Sequence, residues 1–413
     1  MPLPAVPLAR QTFRAVKWLF FGGLTAVILL VAGLKIENAR EVSLPLPSGP
    51  FAVGRVIDDW VDPATIDPLS PAPGTTRELL VWIWYPAESV TAAAFDDYRP
   101  AAMRARPEKS DTTNPWTYLT RDPSLVRGHS FKDAHVAPGG PFPIVLLRAG
   151  ASSGVLNYSS LAEDLASHGF VVVGFDAPYR TGLVMFPDGR SFGRRAENNP
   201  ESCLGRPPAE QERCVNRILD AWTSDMSFVI DRLEALNEAT RPGRFTGRLD
   251  LARVGAFGHS FGGAAVAEFC RRDSRCRAGV DIDGAPHGPV IQAGLKRPFM
   301  LLLSDHSAEA GPDTARITAD VQSLYDHLPS DSRLWVDIPG SFHFMFSDDG
   351  AVMKSALVRG VVRILGRLRI DARRQLAATS YCLRVFFAVH LNGPAGTRPA
   401  IPSPLFPEVR FVR

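Results

Sequence analysis

Arg253-Val254-Gly255-Ala256-Phe257-Gly258-His259-Ser260-Phe261-Gly262-Gly263-Ala264-Ala265-Val266-Ala267-Glu268-Phe269 is the stretch that decides the reading of this chain. Its first five residues form a short apolar run suited to a buried strand, and from Gly263 the pattern turns helical with small side chains on one side. Between them lies G-x-S-x-G. A strand that passes at once into a helix leaves Ser260 at the apex of a tight bend, where flanking glycines remove the Cβ atoms that would collide. The Ser260 Oγ is then exposed as a candidate nucleophile. By composition alone the three fixed positions recur in roughly one chain in ten of this length, so the flanking strand and helix carry the weight.

Working outward, Phe142 to Leu147 reads as a buried strand, Ala149 to Gly154 as a small-residue turn, Leu161 to Ala166 as a helix and Gly169 to Asp176 as the next strand. That alternation predicts a right-handed parallel βαβ unit. Downstream of the serine, Gly279 to Asp283, Pro298 to Asp305 and Arg333 to Ile338 are further strands, and Phe51 to Val56 and Leu79 to Pro86 precede the unit. The fold class is α/β, with a mostly parallel central sheet and helices on both faces. Residues 87–140, with Trp116 and Tyr118, and 177–213 lack a clear period and are expected as insertions around the site. An amphipathic helix is expected from Ala221 to Leu236. Residues 367–391 read as one or two helices, and the Pro-rich end, 392–413, as a tail that docks through Leu405, Phe406, Val409 and Phe411 or is disordered.

A serine hydroxyl needs a base, and the base needs a carboxylate to orient it. Ligands of open parallel sheets bind beyond the carboxyl ends of the strands, and Ser260, Asp283, Asp305 and His343 all fall at such ends. His343, in the loop after the last of these strands, is the candidate base. His259 lies inside the elbow, His287 and His306 follow strands unsuited to the base, and His168 ends a helix. For the acid, Asp283 ends the first strand after the nucleophile strand and Asp305 the second, and residue spacing leaves both open. Asp281 lies deeper in its strand and is set aside.

The chain has 413 residues, 45% of them hydrophobic, and a net charge of +3 without a dense basic run, so one large domain is expected and nothing points to nucleic acid. Arg10, Arg14 and Lys17 precede an uncharged apolar run from Trp18 to Leu34, about the minimum length for a bilayer core. It reads as an N-terminal transmembrane signal anchor with the rest of the chain exported, facing the periplasm or cell exterior, the alternative being a signal peptide cleaved to give a secreted protein. The expected layout is an anchor or signal over 1–36, a linker over 37–48, a catalytic domain over 49–391 and the tail. Cys203 with Cys214, and Cys270 with Cys276, are close enough in sequence for local disulfides, which suit export; Cys382 is left over as a buried thiol. No cysteine or histidine cluster suggests a metal. The sequon at Asn157-Tyr158-Ser159 is too common a tripeptide to carry an argument.

Gly258-His259-Ser260-Phe261-Gly262-Gly263, an aspartate twenty-three residues after the serine, and Gly340-Ser341-Phe342-His343 followed by Phe346-Ser347-Asp348 resemble the plasma-type platelet-activating factor acetylhydrolases, or lipoprotein-associated phospholipases, of the α/β-hydrolase fold. Leu165 to Phe170 and Gly49 to Gly54 are similar too, and the resemblance runs over about residues 49 to 390. It implies Ser260 as nucleophile, Asp283 as acid, with Asp305 the alternative, and His343 as base, without a metal or organic cofactor. It also implies an oxyanion hole built from the N–H groups of Phe261 and Ala151, although relatives usually carry His-Gly where this chain has Ala149-Gly150. The expected activity is hydrolysis of short or oxidised sn-2 acyl groups of phospholipids through an acyl-enzyme, with the membrane reached through the N-terminal helix. A general carboxylesterase or polyester hydrolase is the alternative, and an inactive membrane-tethered binding module a third reading.

Overall fold

Leu79, Val81, Ile83 and Tyr85 face one side of the central sheet, Leu80, Trp82 and Trp84 face the other, and all are buried. A strand apolar on both faces has to lie between two layers of helices. The computed structural model, which describes residues 8–89, 95–100, 103, 123–151, 153–307, 310–353, 355–366, 369–394, 396–401 and 403–412, has that three-layer arrangement. Its sheet contains β1 (Ala52–Ile66), β2 (Thr76–Ala87), β3 (Ser130–Lys132), β4 (Phe142–Arg148), β5 (Val171–Asp176), β6 (Leu249–His259), β7 (Cys276–Ile282), β8 (Phe299–Leu303), β9 (Arg333–Asp337) and β10 (Arg410–Phe411). The spatial order is β10-β9-β8-β7-β6-β4-β5-β2-β1-β3. From β5 across to β9 all neighbours are parallel, while β2 runs antiparallel to both β5 and β1.

The longer helices among the described residues are α1 (Leu8–Asn38), α2 (Ser159–Ser167), α3 (Pro208–Asn237), α4 (Phe261–Arg272), α5 (Pro312–Asp326), α6 (Ala356–Ile364) and α7 (Ala372–Phe387). Buried side chains of α3, α4 and α5 join one core cluster, and those of α2 and α7 join the cluster on the other face. The registers carry successive strand ends to one level. The Ser260 N–H donates to the Ile282 carbonyl at 2.9 Å, the Asp283 N–H to Leu302 at 2.9 Å, and the Ile338 N–H to Leu303 at 3.0 Å.

Two expected boundaries change. The second insertion is shorter than 177–213, because α3 starts at Pro208, where proline suits the first helical turn, and already buries Val215, Ile218 and Leu219 ahead of the expected start at Ala221. What remains holds a small hairpin, Leu183–Met185 with Ser191–Gly193, and the Cys203–Cys214 disulfide ties it to α3. The first insertion does not end off the sheet. Its last part returns as β3 beside β1, held by the buried Glu163 carboxylate, which accepts from the N–H groups of His129 and Ser130. Residues 104–122 of that insertion, including Trp116 and Tyr118, lie outside the described residues.

The C-terminal tail docks: β10 pairs antiparallel with β9, and Val412 donates to the Trp335 carbonyl at 2.9 Å, which covers an otherwise open sheet edge. Cys270 of α4 is bonded to Cys276 at the start of β7, and Cys382 is buried and free. Val16–Asn38 of α1 is long and apolar enough to cross a membrane and is almost wholly uncovered by the rest of the protein. Near its end Leu34 packs on Met345, Met353, Val358 and Ala372, beside the loop that carries His343.

Candidate active site

The elbow after β6 begins with backbone geometry that only a few residues tolerate. Ser260 has φ 56° and ψ −128°, a left-handed conformation for a residue with a Cβ, and such strain persists only where the surroundings hold it. Three glycines make room. A Cβ on Gly258 would meet the Gly262 backbone, one on Gly262 the carbonyls of Arg148 and Ala149, and one on Gly263 the Asp281 carboxyl. The sequence G-x-S-x-G-G is thus a packing requirement of the β6–α4 junction. It presses the first turn of α4 onto the turn after β4.

That turn lies against the serine, since a Cβ on Gly150 would stand 3.3 Å from the Ser260 Cβ. The Gly150 N–H donates to the Tyr158 hydroxyl at 3.3 Å, and Tyr158 shares a 2.7 Å hydrogen bond with His259 Nδ1. Ala151 comes next, its carbonyl accepting from Arg194 Nη1 at 3.4 Å. Phe261 opens α4, where an N–H has no carbonyl one turn earlier to bond.

Asp283 also adopts a left-handed backbone, φ 55°, one residue past β7. Its two carboxylate oxygens accept from four groups. Oδ2 accepts from His343 Nδ1 at 2.7 Å and from Ser304 Oγ at 2.7 Å. Oδ1 accepts from the Ser304 N–H at 2.7 Å and from His306 Nε2 at 2.8 Å. Burial alone would push this carboxyl up, but the hydrogen bonds from His306 and His343 and the charge those rings can carry hold it far below the usual carboxylate range. Asp305 is engaged elsewhere. Its Oδ1 accepts from the N–H and hydroxyl of Ser307, and its Oδ2 from the Gly340 N–H at 2.8 Å, so it buttresses the turn that delivers His343. Asp281, beneath the elbow, accepts from the Gly284 N–H at 2.9 Å, and burial pushes its carboxyl up to about 8.

The His343 ring lies 4.5 Å from that of His259. Burial, with His343 as a neighbour, pushes His259 down to about 3, so it stays neutral and serves as packing. Ser260, Asp283, His306 and His343 line one cavity of about 490 Å³, with Leu303, Ile317, Val321 and Trp335 as its apolar lining and Asp337 as a further carboxylate. Sequence reasoning missed His306 and Ser304. The available signal was their place at the end of β8, beside the strand that ends at Asp283.

A nucleophile elbow, an imidazole on a buried carboxylate and an apolar cavity at one end of a parallel sheet can cleave esters. The family described as platelet-activating factor acetylhydrolase, isoform II, matches residues 219–392, a span that holds Ser260, Asp283 and His343. A probable 1-alkyl-2-acetylglycerophosphocholine esterase of Arthroderma benhamiae is 27% identical over 396 residues, which is 89% of this chain and 93% of the relative. These likenesses support the platelet-activating factor acetylhydrolase family for this chain. It is a serine ester hydrolase. Its similarity to the mammalian acetylhydrolases is shorter: the Cavia porcellus enzyme is 25% identical over 238 residues, 51% of this chain and 49% of that one. Among solved structures, a ferulic acid esterase from Streptomyces cinnamoneus superposes with a TM-score of 0.70 at 26% identity, over 90% of this chain and 99% of the other. The chain pairs the α/β-hydrolase fold with an apolar N-terminal helix.

Proposed function

We propose that Ser260, His343 and Asp283 form the catalytic triad of an esterase that removes short or oxidised acyl groups from the sn-2 position of phospholipids. The observation that carries the roles is the 2.7 Å contact between His343 Nδ1 and Asp283 Oδ2, within a cavity that Ser260 also lines. With Nδ1 bonded to the carboxylate, Nε2 is the nitrogen that takes a proton. Ser260 Oγ attacks the acyl carbonyl as His343 removes its proton, and the N–H groups of Phe261 and Ala151 stabilise the oxyanion. His343 then passes that proton to the departing alcohol, leaving an acyl-serine. Water repeats the sequence and releases the acid. Asp283 holds the imidazole in the productive tautomer and stabilises its charged form.

The substrate assignment rests on the family and on the Arthroderma benhamiae relative, whose name specifies a 2-acetylglycerophosphocholine. The test compares an sn-2 acetyl glycerophosphocholine with p-nitrophenyl acetate and a feruloyl ester. Hydrolysis of the phospholipid no faster than of the soluble esters overturns it. A second reading, a carboxylesterase for bulkier apolar or aromatic esters, is favoured by the apolar wall of the cavity and by the ferulic acid esterase likeness. A fluorophosphonate probe that labels the protein but not Ser260→Ala establishes the nucleophile for either reading and excludes an inactive fold.

The N-terminal helix is read as an anchor that holds the exported enzyme at a membrane. Leu34 packs beside the His343 loop, whose Phe344 is exposed, as are Leu357, Val361 and Ile364 of α6. An anchor placed there brings the cavity mouth toward lipid. Recovery of activity in the soluble fraction of cells expressing the full chain refutes anchoring.

A further inference from the structure

Asp283 carries two imidazoles, one on each oxygen, and the triad uses only one of them. His343 Nδ1 sits on Oδ2 at 2.7 Å and His306 Nε2 on Oδ1 at 2.8 Å, while Ser304 Oγ lies 3.2 Å from the same His306 nitrogen. The His306 contact is not forced by packing, since its side chain is 42% exposed whereas the Asp283 side chain is wholly buried. We infer that His306 is a positioning residue that shares the Asp283 carboxylate with His343 and sets how far into the acid range His343 stays a neutral base. The inference rests on the triad reading above.

The physical argument concerns one negative charge and two rings. A proton on His343, whether taken from solvent or from Ser260, is stabilised by the Asp283 charge. When His306 is itself protonated that charge is already neutralised, so a second proton on His343 is less favourable and the base remains neutral to lower pH. The groups facing His306 fit this. From β7 comes Asp283, from the end of β8 come Ser304 and Asp305, from β9 comes Asp337, and from the following loop comes His343. Asp305 is occupied with Ser307 and Gly340 and has Arg369 at 4.0 Å. The α5 residues that line this cavity, Thr314, Ile317, Thr318 and Val321, carry no charge, and Arg316 of that helix is paired with Asp320. Among the described residues, Asp283 is the carboxylate that both rings touch.

Two variants of the full chain separate charge from contact. His306→Phe removes both the donor and the charge, while His306→Gln keeps an amide N–H that can reach Oδ1 but cannot titrate. The measurements are kcat and KM for p-nitrophenyl acetate, and the rate of fluorophosphonate labelling, from about pH 5 to about pH 9. The midpoint of the acid limb is expected to rise by about half to one pH unit in both variants. At the alkaline plateau kcat stays within about threefold of the parent in His306→Gln and within about tenfold in His306→Phe, because Ser304 still donates twice to Asp283. An unchanged midpoint in either variant overturns the inference, since the charge then has no effect. A change confined to KM overturns it as well, by placing His306 on the substrate. Thermal denaturation confirms that both variants are folded. If the parent itself is not labelled at Ser260, the triad reading fails, and that result is distinct from labelled variants with an unmoved midpoint.

Discussion

Asp283→Asn is the most discriminating perturbation of this site, because the structure determines which way the amide must face. All four neighbours of the carboxylate are donors: the Ser304 N–H and His306 on Oδ1, and Ser304 Oγ and His343 on Oδ2. An asparagine has only one acceptor oxygen, and the backbone N–H of Ser304 cannot reverse. The oxygen therefore takes the Oδ1 place and the NH₂ faces Ser304 Oγ and His343 Nδ1. The hydroxyl adapts by rotating, but His343 adapts only by moving its proton to Nε2. In that tautomer the ring presents a donor to Ser260 and cannot accept its proton. Restoring the productive tautomer sets two donors against each other, at about 2–3 kcal/mol. The imidazolium formed in the transition state loses a charge-assisted hydrogen bond of similar size. Together these amount to about 5 kcal/mol, a fall in kcat of between 10³ and 10⁴, in line with the cost of about 10⁴ for asparagine in a serine triad. Asp305→Asn keeps an acceptor for the Gly340 N–H and is expected to cost less than about tenfold. The assay is the kcat of both variants on a soluble ester at a fixed alkaline pH. A loss under tenfold in Asp283→Asn, or an equal loss in Asp305→Asn, refutes the reasoning.

Gly262→Ala drives a methyl into the carbonyls of Arg148 and Ala149, neither of which can move without shifting β4. A destabilisation of about 2–4 kcal/mol is expected, read from the denaturant midpoint. Asp348 is fully buried, and burial pushes its carboxyl up from 3.8 to about 8 despite the Ser160 N–H at 3.2 Å. Between those values the unfolded chain releases a proton that the folded chain keeps, so this group lowers stability as pH rises through the window. Asp348→Asn is accordingly expected to gain in Tm relative to the parent on going from about pH 5 to about pH 8.5, and a constant difference across that range contradicts the sign. The Cys203–Cys214 bond closes a short loop, with a sequence separation of 11, between the shortened insertion and α3. Replacing both cysteines by serine is expected to cost about 2–3 kcal/mol of stability, with kcat on a soluble ester unchanged within about twofold.

The fold was legible where its causes are local. Ile144 to Leu147 and Val171 to Val173 are apolar at every position because both sheet faces are covered, and such runs identify interior parallel strands without any knowledge of their partners. The start of α3 was less legible, since Glu210, Gln211 and Glu212 ahead of Val215 look like loop until the Cys203–Cys214 bond and the packing of Ile218 and Trp222 are seen. The docking of Phe411 beside Val336 joins residues far apart in sequence and has no local signature.

The sequence by itself determined the elbow at Ser260, because a strand, a left-handed turn and a helix within a dozen residues are specified by adjacent apolar runs and by glycines that leave room for one another. It also placed Asp283, Asp305 and His343 at strand ends. Which aspartate faces the imidazole was decided by tertiary structure alone. Asp283 and Asp305 end neighbouring strands, and only the bend at φ 55° and the donors from Ser304 turn the first toward His343, while the second turns to Gly340. The same registers bring His306 onto the other side of Asp283, a contact that spacing along the chain could not reveal because two parallel strands align only when the sheet forms.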